Sequence, residues 1–200
     1  MKLAVLAAGL SEPSSTRLLA DRLAAATATR LAAHDRAVQT QIIELRPLAH
    51  DVVDQVLTRV ASPALAQARD TVQSADALIA VSPTFSMSYS GLFKSFMDTL
   101  DEGSLAGIPT LLGATGGTAR HSMVLESAMR PLLSYFKTMT VPTAVYAASE
   151  DWGTAGLDGR IERAGTELAD LMVGLPDRVH HDPFDADGAG FIPFEQMMQR

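Results

Sequence analysis

Three short runs gather the residues whose types and spacing allow chemistry. The first is Ser11-Glu12-Pro13-Ser14-Ser15-Thr16-Arg17, which sets four hydroxyls and a guanidinium just ahead of an amphipathic stretch. Hydroxyl and backbone N–H groups at a helix start can converge on an anion. Capping accounts for one serine. Four hydroxyls with Arg17 exceed what a cap requires, and the run reads as a phosphate site. The second run, Ser82-Pro83-Thr84-Phe85-Ser86-Met87-Ser88-Tyr89-Ser90-Gly91, mixes aromatic, thioether and small polar side chains. Such a loop can flank a planar ring while its amides meet the ring's polar edge. The third, Gly113-Ala114-Thr115-Gly116-Gly117-Thr118-Ala119-Arg120-His121, pairs two glycines with hydroxyls, Arg120 and His121. Paired glycines permit close backbone approach and unusual dihedrals.

The elements that must position these runs alternate between two periodicities. Leu3–Ala8 is a near-continuous apolar run, as expected of a strand covered on both faces. Further strands are expected at Thr40–Leu45, Leu78–Ser82, Pro109–Ala114 and Val141–Ala147. Helical spacing is read over Ser14–Ala33, Ala64–Ser74, Gly91–Leu100, Ser122–Phe136 and Leu157–Val173. Ser62-Pro63 supplies a cap and a first-turn proline for the second of these. Pro131 falls inside the fourth, so a kink or wide turn is expected around Ser127–Pro131. Strands alternating with helices specify an α/β fold with a parallel sheet, right-handed crossovers and helices on both faces. Ligands in such sheets sit beyond the carboxyl ends of the strands. The three runs follow strands one, three and four, and so share that edge. One domain is expected over 1–174, with an irregular tail over 175–200.

Composition removes several function classes. A formal net charge of −7 opposes general binding to nucleic acid, whose phosphates need Lys and Arg. No apolar run reaches the roughly 20 residues of a membrane span, so no membrane association is expected. The apolar start is too short for a secretory signal. The absence of cysteine excludes disulfides, thiol catalysis and a redox disulfide relay, and fits a cytoplasmic protein. Neither G-x-G-x-x-G nor G-x-x-x-x-G-K-[ST] occurs, which argues against a dinucleotide-binding Rossmann domain and a P-loop hydrolase.

Taken together, S-x-x-S-S-T-R, P-T-F-x-x-S-Y-S-G-L-F-K-x-F-x-D and G-A-T-G-G-T-x-R-H resemble the NAD(P)H-dependent FMN reductases, and more narrowly the branch paired with luciferase-like flavin monooxygenases. The resemblance spans about residues 3–173. It implies a flavodoxin-like three-layer sandwich with a five-stranded parallel sheet in the order 2-1-3-4-5. It also implies FMN as cofactor and NADPH or NADH as co-substrate. Ser11, Ser15, Thr16 and Arg17 then hold the FMN phosphate. Pro83, Thr84, Phe85, Ser86 and Met87 border the isoalloxazine ring, and Thr115, Gly116, Gly117 and Thr118 line its other side, with His121 adjoining. The hydride passes from nicotinamide to flavin N5, so no general acid or base is named among the catalytic residues. Relatives of this kind form homodimers or homotetramers, and the irregularity at Pro131 marks an expected subunit contact. A flavin-dependent monooxygenase is the implied partner. The alternatives are an FMN-containing quinone or azo-type reductase and a flavodoxin-like electron carrier.

Other motifs point elsewhere and are set aside. Asp185–Gln196 imitates a calcium loop but lacks the bidentate carboxylate at position twelve, where Gln196 stands. It reads as a tail packing Phe191, Ile192 and Phe194 on a neighbour. His180-His181-Asp182 lacks a further preorganised ligand, so no metal site is expected. Trp152 could cover a site or an interface.

Overall fold

The computed structural model describes residues 1–176. The calcium-like and His-His-Asp segments, and nearly all of the expected tail, lie outside the described residues. Strand β1 (Lys2–Ala7) is central and buried after Lys2. It pairs in parallel with β2 (Gln39–Glu44) on one side and β3 (Ala77–Phe85) on the other. β3 pairs in parallel with β5 (Pro109–Gly116), and antiparallel with the two-residue β4 (Ser88–Tyr89). β5 then carries two short parallel partners, β6 (Met139–Thr140) and β7 (Val145–Ala148).

The sheet therefore has seven strands in the order β2-β1-β3-β5-β6, with β4 and β7 off that path, and not the five expected. Two local causes account for the difference. The expected strand Val141–Ala147 is broken because Pro142 has no N–H to give a ladder, so its position is shared by β6 and β7. The run after the third strand is not a loop. β3 continues through Phe85, turns at Ser86-Met87 and returns as β4.

Alternation along the strands splits the core into two layers. Leu3, Val5, Ile79, Val81 and Leu111 face α1 (Ser15–Ala32) and α6 (Ala155–Gly174). Ala4, Leu6, Leu78, Ala80 and Leu112 face the opposite layer. That layer comprises α2 (Ala49–Thr58), α3 (Pro63–Gln73), α4 (Gly91–Met97) and α5 (Arg130–Tyr135). Helix α2 has no counterpart among the expected elements: it has no side-chain cap, and Pro47 sits in the 3₁₀ turn just before it. β2 is an edge strand on which Ile43 alone is buried, in keeping with its polar sequence.

The expected helix Ser122–Phe136 is in fact two pieces, behind a separate short turn. A 3₁₀ turn covers Ala119–His121, a π-helix covers Leu125–Met129, and α5 follows. The wide turn expected from Pro131 is this π segment, in which the Arg130 N–H reaches back five residues to the Leu125 carbonyl.

Candidate functional site

The carboxyl ends of β1, β3 and β5 lie side by side, with Ala7 opposite Val81 and Pro83 opposite Thr115. At the first of them, the Ser14 hydroxyl accepts the Arg17 N–H at 3.1 Å and caps α1. That cap needs a glycine beside it, because a Cβ on Gly9 would lie 2.1 Å from the Ser14 oxygen. Gly9 is absent from the residues singled out in the sequence, although a glycine at a strand-to-helix corner is a usable signal. Ser15 and Thr16 open the helix, where the first amides have no carbonyl one turn earlier to accept them. Ser11 is exposed, and its hydroxyl donates to the Pro13 carbonyl at 3.2 Å.

Arg17 does not stand free. Its Nε donates to Asp21 at 2.8 Å and its Nη1 to Glu44 at 2.5 Å. The Asp21 hydrogen bond outweighs partial burial and raises the guanidinium pKa. With five donors on a planar fork, Nη2 is left for another anion.

Thr16 turns inward. Its hydroxyl shares a buried 2.8 Å hydrogen bond with the Thr115 hydroxyl, fastening the first turn of α1 to the end of β5. One residue on, Gly116 faces the Tyr146 hydroxyl on β7, from which a Cβ would stand only 2.1 Å away. Tyr146 in turn donates to the Thr118 carbonyl at 3.0 Å, and burial raises its pKa, so it remains a neutral donor. Tyr146 escapes a reading of the sequence because a tyrosine in an apolar strand looks like ordinary core.

The glycine pair works differently from the expectation. Neither Gly116 nor Gly117 adopts a positive φ, so no unusual dihedral is in play. Gly116 makes room for a tyrosine of the same chain. At Gly117 a Cβ would meet nothing within 4 Å, so its backbone is open to approach from outside.

The hairpin carries the strain instead. Ser86 and Met87 have φ values of 47° and 66°, the two left-handed residues of a type I′ turn. Non-glycine residues there cost of order 1 kcal/mol or more each. Ser82 steadies the base of the hairpin by accepting the Ser90 N–H at 2.9 Å. At the tip, the Met87 sulfur lies 3.1 Å from His121 Nδ1. Phe85 and Met87 are exposed apolar side chains beside these loops. Thr118 Oγ1 at this edge is buried without a hydrogen-bond partner, while the buried Thr84 hydroxyl faces the Tyr146 hydroxyl. An unpartnered group of this kind costs about 1–3 kcal/mol unless something satisfies it.

Contacts thus run from Thr16 through Thr115, and from Tyr146 to Thr118, while His121 meets the hairpin. Trp152 is not among them; it packs partly buried on the layer of α1 and α6. Among the described residues no cluster of three or more His, Asp or Glu side chains could hold a metal ion.

A family model described as NADPH-dependent FMN reductase matches residues 1–153. The chain belongs to this family. The FMN reductase (NADPH) of Pseudomonas aeruginosa is 36% identical over 86% of this chain and 93% of that protein. The NADH-dependent FMN reductase SfnF of Pseudomonas fluorescens is 34% identical over 86% and 92%. Among solved structures, an oxidoreductase from Corynebacterium diphtheriae is 44% identical, covers 88% of this chain and 98% of that one, and has a TM-score of 0.85. Membership makes the protein an oxidoreductase, and its doubly wound sheet is flavodoxin-like.

Proposed function

We propose that the linked edge binds FMN and that the enzyme reduces it with NADPH or NADH. The observation that carries this reading is the Thr16–Thr115 hydrogen bond. It joins an anion-ready helix start to the strand end beside the hairpin, so phosphate and ring determinants belong to one surface. The residues present fit FMN on two further counts: the open backbone at Gly117 and the unpaired Thr118 hydroxyl. A flat ring needs the first, and its polar rim or the water ordered on it can satisfy the second.

In this reading Ser11, Ser15, Thr16 and Arg17 hold the phosphate, Arg17 sharing its charge with Asp21 and Glu44. Pro83, Thr84, Phe85, Ser86 and Met87 border one side of the ring. Thr115, Gly116, Gly117 and Thr118 line the other, with His121 bracing the tip. FMN supplies the hydride-accepting ring when bound. The chain contributes position: the strained turn, the Tyr146–Thr118 bond and the Thr16–Thr115 bond fix the walls, and no side chain is asked to move a proton.

The printed names of the relatives divide between NADPH and NADH. We infer acceptance of either nucleotide, with released reduced FMN feeding a flavin-dependent monooxygenase. A homodimer or homotetramer through α4 and the segment Leu125–Tyr135 is part of the same reading. It is supported by exposed Tyr135 at that segment. Among the described residues no helix is long and apolar enough to cross a membrane. The cytoplasmic placement rests on the cysteine-free sequence.

The test is anaerobic oxidation of NADPH and of NADH by the purified protein with added FMN, followed at the nicotinamide band. Oxidation that requires FMN is expected. Failure with both nucleotides would sink the proposal. A colourless preparation that reduces added FMN would make FMN a cycling substrate.

A further inference from the structure

We propose that Met87 is a peroxide-reactive site, and that its oxidation to the sulfoxide lowers the reductase activity. The inference rests on the proposed function for its source of oxidant: reduced flavin released into air returns dioxygen as hydrogen peroxide.

Three observations single out this thioether. Met87 is 63% exposed at the tip of the hairpin, a side chain open to solvent and to peroxide dissolved in it. Its sulfur lies 3.1 Å from His121 Nδ1, a contact that places a proton donor beside the reacting atom when the ring proton is on Nδ1. Its backbone sits at φ 66° in a two-residue turn, so the tip is a strained unit that a changed side-chain contact can shift.

The chemistry balances without another reagent. A sulfur lone pair attacks one peroxide oxygen; the S–O bond forms as the O–O bond breaks. Sulfur is oxidised by two electrons and the peroxide is reduced. His121 protonates the departing hydroxide to water and regains the proton lost by the new S–OH group, leaving the sulfoxide. The product replaces an apolar thioether by a polar oxygen. The oxygen is a stronger acceptor than the sulfur was, so the His121 contact reorganises around it and the tip moves away from its ring-bordering position.

Met123 provides an internal control, being 61% exposed two residues beyond His121 while the His121 Nδ1 contact goes to Met87. The full-length protein is treated with dilute hydrogen peroxide, digested and mapped by mass for gain of one oxygen at each methionine. This arm needs no flavin activity, so it stands whether or not the FMN reading does. Met87 is expected to oxidise several-fold faster than Met123, and His121→Asn to erase most of that difference. In parallel, NADPH oxidation with FMN is measured before and after treatment, each variant against its own untreated rate. The wild type is expected to lose activity in step with Met87 oxidation and to recover it with methionine sulfoxide reductase, while Met87→Leu resists. Equal oxidation of Met87 and Met123, or undiminished activity once Met87 is fully oxidised, overturns the proposal.

Discussion

Gly116 has no room for a methyl group, since its Cβ would lie 2.1 Å from the Tyr146 hydroxyl oxygen and 3.2 Å from the carbon that bears it. Gly116→Ala therefore has to push the tyrosine or the β5 end, at about 1–3 kcal/mol for overpacking. Tyr146→Phe removes the oxygen that is struck, and with it the donor to the Thr118 carbonyl, for about 0.5–1.5 kcal/mol. In the Tyr146→Phe background the alanine should cost about 1 kcal/mol less than in the wild type, a coupling a double-mutant cycle resolves. Urea unfolding of the four proteins checks it; equal costs in both backgrounds would remove the steric account. The same residues show how far a sequence speaks at this scale. Hydroxyls after strand one, the P-T-F run and the Gly-Gly pair are legible because small and polar residues are out of place between apolar elements. Tyr146 and Gly9 are not, because each is defined by a partner distant in the sequence or by a clash that appears only when the chain is folded. Arg17 reads as a free cation in the sequence, and only the fold brings Glu44 beside it.

Arg130 holds together two elements that the sequence merges or splits wrongly. Its guanidinium donates to Glu126 on the π segment, at 2.6 and 2.9 Å. It also donates to Thr140 Oγ1 and to the carbonyls of Val141 and Pro142, across the break between β6 and β7. Arg130→Met leaves those acceptors without the cation, and about 1–3 kcal/mol of stability should be lost, the Glu126 share being reduced by its exposure. The Arg130 hydrogen bond lowers the Glu126 pKa below its ordinary value of 4.5. A depressed carboxylate contributes stability above the unfolded value and loses it as pH falls through the folded one. The gap between wild type and Arg130→Met should therefore narrow below pH 4.5 without closing, because the carbonyl bonds do not titrate. Chemical denaturation at neutral and acidic pH measures the gap, and a gap that widened in acid would contradict the assignment. A second prediction concerns the layer of α1 and α6. A Cβ on Gly165 would lie 2.7 Å from Ala26 Cβ and 2.9 Å from the Thr27 backbone nitrogen, neither of which can swing away. Gly165→Ala should cost about 1–3 kcal/mol despite raising helix propensity, a loss visible as a lower urea midpoint. The long, periodic helices and the apolar strands are legible because one face of each repeats in register with its own period. α2 and the split at Pro142 are not. An uncapped helix behind a proline resembles a loop, and an apolar run through a proline resembles a strand until the ladder asks for the missing N–H.

The whole molecule carries a net charge of −7, so no long-range attraction gathers an anionic flavin phosphate. In the proposed site, affinity for it comes from local donors at one edge. That edge is assembled from distant parts of the chain: the Thr16–Thr115 bond spans 99 residues, β1 and β5 each lead into a loop there, and β3 contributes its hairpin. A site so distributed exists only in the folded protein, and its ligand must then stabilise the entire domain. At a hundred times its dissociation constant, FMN should add about 2.7 kcal/mol. For a domain of this size that is a rise in Tm of roughly 5–10 °C. Riboflavin presents the same ring without the phosphate and should raise Tm clearly less at equal concentration. Arg17→Ala should then bring the FMN response down toward that of riboflavin while leaving the riboflavin response nearly unchanged, because Arg17 is assigned to the phosphate and not to the ring. Thermal melts of wild type and variant with each flavin measure all four responses. Equal shifts by FMN and riboflavin in the wild type would place the phosphate outside the Ser11–Arg17 turn, whatever the ring does at the hairpin.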